Sequence, residues 1–364
     1  MTDLMTGPVT GPTTSPVTSP ITAQATDRHA FAEFFATGAA GSTGAEPRAL
    51  WEAMADAADG GKRLRPALLL ATYEALGGDR PDVAQQVADA VELLHTAFVM
   101  HDDVIDHDLH RRGRPNVFGA FEARGRTAGS SASRAHRYGQ AAGILAGDLA
   151  LVGATRLVAT ADTGRQTVTR LLDLLDETVR LTAGGELGDV RLGLGVDDPD
   201  LDDVLTVAEH KTAVYSFSLP MQAGALLADA PDGLLPRLDR LGRLLGVAFQ
   251  LQDDLLGTFG DEAATGKSTL SDLREGAMTA LVVHARTTPI WPAIAPHLGD
   301  PDLTPETAAD VRAALVRCGS RRHVEDLVDR YLQEARQVAH EVGPVGAVVD
   351  RLTRDLRSGA GRAA

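Results

Sequence analysis

The chain has 364 residues, with 35 Lys+Arg against 50 Asp+Glu and a formal net charge of −15 at pH 7. That balance excludes general nucleic-acid binding, which needs a dense basic face against phosphate. The single cysteine, Cys318, excludes disulfide scaffolding and fits a reducing, cytoplasmic compartment, and no unbroken run of about 18 apolar residues marks a membrane-spanning helix.

Residues 1–25 are rich in Thr, Pro, Ser and Gly and carry no Lys or Arg, so they read as a disordered leader and not as a signal peptide. Residues 26–357 read as one domain and 358–364 as a flexible tail. Helical spacing first shows over 48–58. The loop Gly60-Gly61-Lys62-Arg63-Leu64-Arg65-Pro66 follows and leads into a helix over 64–76. From Pro81 to Asp106, Val83, Val87, Val91, Leu94, Phe98 and Ile105 recur mostly three or four residues apart, which predicts a long helix. It ends in Ala97-Phe98-Val99-Met100-His101-Asp102-Asp103-Val104-Ile105-Asp106. A basic turn, Arg111-Arg112-Gly113-Arg114-Pro115, comes next.

The Gly/Ser/Arg-rich stretch Glu122–Arg137 reads as a long flexible loop. Helices are predicted over 141–160, 165–183 and 202–219. Another runs from Pro236 to Leu256 on Leu238, Leu241, Leu245, Phe249 and Leu256. It closes on Ala248-Phe249-Gln250-Leu251-Gln252-Asp253-Asp254, the same Ala-Phe, three residues, Asp-Asp pattern seen at Asp102-Asp103. The turn Thr265-Gly266-Lys267-Ser268 lacks P-loop spacing. Helices over 307–318 and 321–341 complete the set. With no period-two ladder of β-formers, the fold class is all-α: one bundle of about ten or more helices.

On a helix, Asp102 and Asp106 lie one turn apart with Asp103 beside them. Carboxylates crowded at a helix C-terminus repel one another and oppose the macrodipole. Hard oxygen donors in this arrangement suit Mg²⁺, which bridges carboxylates to substrate phosphates. The basic islands at 62–65 and 111–114 suit the phosphates themselves. A diphosphate ligand satisfies both kinds of island.

These motifs, GGKRLRP (60–66), LLHTAFVMHDDVID (93–106), RRGRP (111–115), HKTA (210–213), FQLQDDLLGTFGD (249–261), TGKS (265–268) and DLREG (272–276), resemble in order and spacing those of the trans-isoprenyl diphosphate synthases of the polyprenyl synthetase family. The resemblance spans roughly residues 45–345. It implies a deep cavity between the two Asp-bearing helices, a homodimer, and condensation of isopentenyl diphosphate with an allylic diphosphate. It implies Asp102, Asp103 and Asp106 as Mg²⁺ ligands, with Asp253 and Asp254 on a further ion, three Mg²⁺ in all and Mn²⁺ as an alternative. By the same matching, Lys62, Arg65, His95 and Arg112 bind isopentenyl diphosphate. Arg111, Lys211, Gln250 and Lys267 contact the allylic diphosphate, and Thr212 lies beside the reacting carbons.

One position departs from the family pattern. Gly257 stands where the second motif usually carries a third Asp, and Asp261, one further turn along, is the expected substitute through water. The implied chemistry is ionisation, condensation and elimination, with the departed diphosphate as base in preference to His95 or His101. Phe98, about 6 Å below Asp102 on the helix, is the expected floor of the product cavity. This favours a C20 product, geranylgeranyl diphosphate, with C15 farnesyl diphosphate next. A class I terpene cyclase would need no isopentenyl diphosphate site, and an inactive synthase subunit would have lost a cluster. An HD-type phosphohydrolase prompted by His101-Asp102 would need further His ligands on neighbouring helices, whereas His107 and His110 follow in the loop.

Overall fold

The computed structural model describes residues 29–196, 198–260 and 270–357. The leader, the tail, Asp261 and the Thr265–Ser268 turn with Lys267 lie outside these. In chain order the helices are α1 His29–Ala40, α2 Ala45–Ala58, α3 Leu64–Ala75, α4 Pro81–Ile105, α5 Val117–Thr127, α6 Ala132–Ala159, α7 Arg165–Gly193 and α8 Leu201–Ala208. A π-helical segment, Glu209–Ser218, joins α8 to α9 (Leu219–Leu227). Then come α10 Leu235–Phe259, α11 Ser271–Glu275, α12 Ala280–Arg286, α13 Pro305–Arg317, α14 Ser320–Ala339 and α15 Val345–Arg357. Among the described residues the only strands are β1 (His110–Arg111) and β2 (Arg114–Pro115), an antiparallel two-residue pair. The all-α expectation holds.

Two helices organise the bundle. Pro81 starts α4, where its missing N–H costs nothing, and Val83, Val87, Val91 and Leu94 bury its apolar stripe. That stripe packs in one core with residues of α1, α2, α6 and α7. Helix α10 likewise buries Leu238, Leu241 and Leu245, in a second core shared with the π segment, α14 and α15. A smaller third core lies among α11, α12 and α13 around Leu273, Ile294 and Leu315.

The flexible loop expected at Glu122–Arg137 is instead the end of α5, a short turn, and the start of α6. Asn116 caps α5 by accepting from the Gly119 N–H at 2.8 Å. The Glu122 carboxylate then ties the two helices, meeting Arg126 at 3.0 Å and His136 at 2.9 Å. Gly125 lies so close to Ala135 that a Cβ there would press on its backbone. The small residues that suggest a loop permit a tight helix crossing.

Helix α6 also qualifies an expectation about membranes. Polar residues interrupt it, yet by length and hydropathy it is the one described helix apolar enough to cross a bilayer. Its buried face is Ala135, Gly139, Ala142, Gly143, Ala146 and Ala150, set against α4 and α5. Close packing accounts for that small-residue composition.

Candidate active site

The first carboxylates stand at the end of α4. Asp102 and Asp103 occupy its last turn, and Asp106 caps it, donating its N–H to the Asp102 carbonyl at 2.8 Å. Negative charge here opposes the helix dipole, and the β1–β2 turn brings a cation back to meet it. Arg111 Nε donates to Asp103 Oδ1 at 2.8 Å, and its Nη2 to Asp102 Oδ2 at 3.3 Å. Burial, opposed by Arg111, still pushes the Asp103 carboxyl up to about 6. Burial and the neighbouring Asp102 bring Asp106 to about 6 as well.

Lys211 supplies a second cation. Its Nζ lies 2.6 Å from Asp189, 3.1 Å from Glu186 and 3.5 Å from Asp102. Burial works to lower its pKa, but Asp189, Asp102 and Glu186 outweigh that effect and raise it. The ammonium is therefore a fixed positive charge.

The second cluster lies near the C-terminal end of α10, which continues to Phe259. Gln250, one turn before Asp254, donates Nε2 to its Oδ1 at 2.8 Å and accepts from the Thr212 hydroxyl at 2.8 Å. Adjacent residues Lys211 and Thr212 thus reach toward different clusters, so the two motifs share one site. Burial raises Asp254 to about 8; the Gln250 hydrogen bond opposes this, while Asp272, Asp253 and Asp189 add to it. A cavity of about 250 Å³ between Asp189, Lys211, Asp254 and Asp272 opens here.

A Cβ at 257 would collide with the Asp272 carboxylate. Asp272, in the first turn of α11, occupies the space into which an aspartate at 257 would project. The expected substitute, Asp261, lies outside the described residues.

On the other side of α4, Arg112 and His95 line a small pocket with Gly60 and Glu92. Burial first, then Arg65, Arg111 and Arg112, hold His95 well below its ordinary pKa, so it is neutral. Its Nδ1 is buried without a protein partner. The Lys62 ammonium is buried as well. Arg65 Nη2 donates to the Tyr215 hydroxyl at 2.9 Å and to Ser216 at 2.8 Å.

An apolar cavity of about 630 Å³ runs from Asp102, Lys211 and Thr212 along Phe98, Leu151, Val179 and Ala183. Phe98 is the α4 residue furthest from Asp102 on this wall. It packs edge-on against Tyr215, with ring centroids 5.1 Å apart.

Most of the expected site residues within the described segments line these three spaces. His95, Asp103, Arg111 and Arg112 line the small pocket, Gln250, Asp253 and Asp254 the one beside Asp272, and Phe98 and Asp102 the apolar cavity. Lys211 and Thr212 line the last two, whereas Lys62, Arg65 and Asp106 line none of them. Four others carry no role from sequence: Glu186, Asp189, Tyr215 and Asp272. A signal existed for the first two. Gly184-Gly185 and Gly188 interrupt a long helix, where glycine costs roughly 0.5–1 kcal/mol, and Gly185 is pressed against the Lys211 backbone.

Among the described residues, no three His, Cys, Asp or Glu side chains converge closely enough to close a metal site alone. The donor set nevertheless fits Mg²⁺. Its oxygens are hard, several are buried at an electrostatic cost, and Mg²⁺ draws its remaining ligands from phosphate and water.

The family model described as "Polyprenyl synthetase" matches residues 47–292. The geranylgeranyl diphosphate synthase of Methanosarcina mazei is 33% identical over 279 residues, 76% of this chain and 79% of that one. The (2E,6E)-farnesyl diphosphate synthase of Mycobacterium tuberculosis is 33% identical over 308 residues, 78% and 79% of the two chains. The fold superposes on the Corynebacterium glutamicum geranylgeranyl pyrophosphate synthase complexed with isoprenyl diphosphate and magnesium. The TM-score is 0.82 at 27% identity, covering 90% of this chain and 96% of that one.

Proposed function

The chain belongs to the polyprenyl synthetase family, and from that premise we propose how its residues divide the work of a prenyltransferase that makes a medium-chain trans-prenyl diphosphate. Isopentenyl diphosphate sits against Lys62, Arg65 and Arg112. The neutral His95 offers its unpartnered Nδ1 as a hydrogen-bonding atom and not as a charge. The allylic diphosphate lies between the two carboxylate clusters. Asp102, Asp103, Asp106, Asp253 and Asp254 would hold Mg²⁺, and Asp272 stands beside the second pair. Bound there, the metal supplies Lewis-acid stabilisation of the leaving diphosphate.

The protein's own groups do the rest. Arg111 and Lys211 are fixed cations where negative charge develops, so little reorganisation is needed as the allylic C–O bond breaks. Thr212, held by Gln250, orients the reacting end, and the apolar wall from Phe98 to Val179 excludes water from the cation. The departed diphosphate takes the final proton, because the nearby carboxylates are committed to metal.

The observation that carries this reading is the Lys211-Thr212 bridge. One dipeptide contacts Asp102 on one side and Gln250, hence Asp254, on the other. The product we favour is C20. The cavity wall extends about 16 Å along α7 from Val190 to Val179, with Phe98 beside it. For the homodimer expected of the family, Ile144, Leu145 and Val152 on α6 and Leu187 on α7 supply exposed apolar surface.

The test is incubation of purified protein with Mg²⁺, isopentenyl diphosphate and each of the C5, C10 and C15 allylic diphosphates, followed by chain-length analysis. A dominant C20 product is expected. A C15 end product would correct the length, and no condensation with any primer would refute the assignment.

A further inference from the structure

Arg63 lies between the two cationic residues of the basic loop and adopts a backbone conformation that side chains disfavour. It is the N-cap of α3, with φ 53° and ψ 41°, in the left-handed region, and it follows Gly60 and Gly61 at φ 90° and 76°. A non-glycine residue held there indicates that its surroundings over-determine it.

Those surroundings include contacts from three different helices. Arg63 Nη2 donates to the carbonyl of Ala58, the last residue of α2, at 2.9 Å. Nη1 lies 3.1 Å from Glu92 Oε1 on α4, with the two side chains only 11% and 9% exposed. The guanidinium stacks over the Phe31 ring of α1, 4.2 Å from its centroid. Phe31 is itself anchored, since its backbone N–H donates to Asp89 on α4 at 3.0 Å. Glu92 lies one turn before His95 on α4, the helix that ends at Asp102 and Asp103.

We propose that Arg63 is a positioning residue for isopentenyl diphosphate. It is locked by Glu92 and Phe31 so that Lys62 and Arg65 stand at a fixed distance from the α4 carboxylates. The inference rests on the assignment of Lys62 and Arg65 as the isopentenyl diphosphate grip. It goes beyond that assignment in giving a task to α1, which precedes the family-matched residues 47–292. A buried ion pair and a stacked guanidinium set geometry well, and lysine reproduces neither the fork nor the stacking. The two substrates should therefore respond differently when the clasp is cut.

The experiment measures KM for each substrate separately in Arg63→Ala, Arg63→Gly, Arg63→Lys and Phe31→Ala, with far-UV circular dichroism and Tm on each. Misplacement of the grip should raise KM for isopentenyl diphosphate about tenfold in Arg63→Ala and Arg63→Gly and several-fold in Phe31→Ala. KM for the allylic diphosphate and kcat at saturation should stay within about twofold of wild type. Arg63→Lys should recover only part of the loss. Glycine relieves the backbone, so a wild-type KM in Arg63→Gly overturns the proposal. So does an equal rise for both substrates. If Arg63→Ala does not fold, Phe31→Ala and Glu92→Gln carry the same comparison. A wild-type enzyme that fails to condense refutes the functional assignment; normal Arg63 variants of a condensing enzyme refute only the clasp.

Discussion

Asp102-Asp103 and Asp253-Asp254 are introduced by the same Ala-Phe spacing and lie near the C-terminal ends of helices of 25 residues each. Among the described residues their electrostatic neighbourhoods differ. At the end of α4, Arg111 and Lys211 set full positive charges against the carboxylates. Near the end of α10, Asp254 is held by a neutral amide, and Asp272 brings one more carboxylate close. Burial, the leading cause at both, pushes the Asp103 carboxyl up to about 6 against Arg111. It pushes the Asp254 carboxyl up to about 8, with the Gln250 hydrogen bond opposing the rise and Asp272 adding to it. A motif therefore specifies where oxygens sit, while their charge state is set by residues from elsewhere: the β1–β2 turn, α7, the π segment and α11.

The contrast can be broken most severely at the first cluster. Asp102→Ala should lower turnover by on the order of a thousandfold or more, with helix content unchanged. Condensation assays beside circular dichroism check this, and near-normal turnover would remove Asp102 from the metal site. Gly257→Asp makes the second motif resemble the family pattern on paper, but its side chain meets Asp272. We expect activity to fall about 10- to 100-fold with a drop in Tm, because overpacking costs roughly 1–3 kcal/mol. Asp272→Ala in that background should restore part of the stability, a coupling readable in a double-mutant cycle. Gains in the single variant would show that Asp272 moves aside.

A third test uses acidity. Asp254 rises from an ordinary 3.8 to about 8 on folding, so between those values the folded state binds more protons than the unfolded state. Metal-free stability should therefore fall as pH increases through that window. Asp254→Asn should flatten the slope up to about 8, whereas Asp103→Asn should remove only the part below about 6. Mg²⁺ should oppose the alkaline loss. Tm between pH 5 and 8.5, with and without the ion, measures all three. Phe98→Ala should leave the rate nearly unchanged and shift only product length upward; unchanged product length would mean that Phe98 is not the floor.

Much of this was legible in sequence. The three- and four-residue spacing of Val83 to Phe98 and of Leu238 to Phe249 reveals α4 and α10, and the doubled aspartates near their ends mark the place where the metal site is proposed. The loop reading of 122–137 failed because Gly125 and Ala135 are small for packing, a reason visible only with both helices in place. Asp272 was within a recognised motif, yet nothing local says that it fills the space above Gly257. Glu186 and Asp189 were hidden because two acids on a long amphipathic helix look like solvated surface until Lys211 is seen between them.

The π-helical winding of Glu209–Ser218 spreads ten residues between α8 and α9 in one continuous rod. Loss of one codon there, unless the segment rewound toward α geometry to absorb it, would turn the downstream helix by about 100°. Leu219 and Met221, both buried in α9, would leave the core, and Lys211 and Thr212 would no longer face their separate partners. In a saturation library this stretch should accept many substitutions yet reject nearly every in-frame insertion or deletion. Over evolutionary time, its length should be more constrained than its composition.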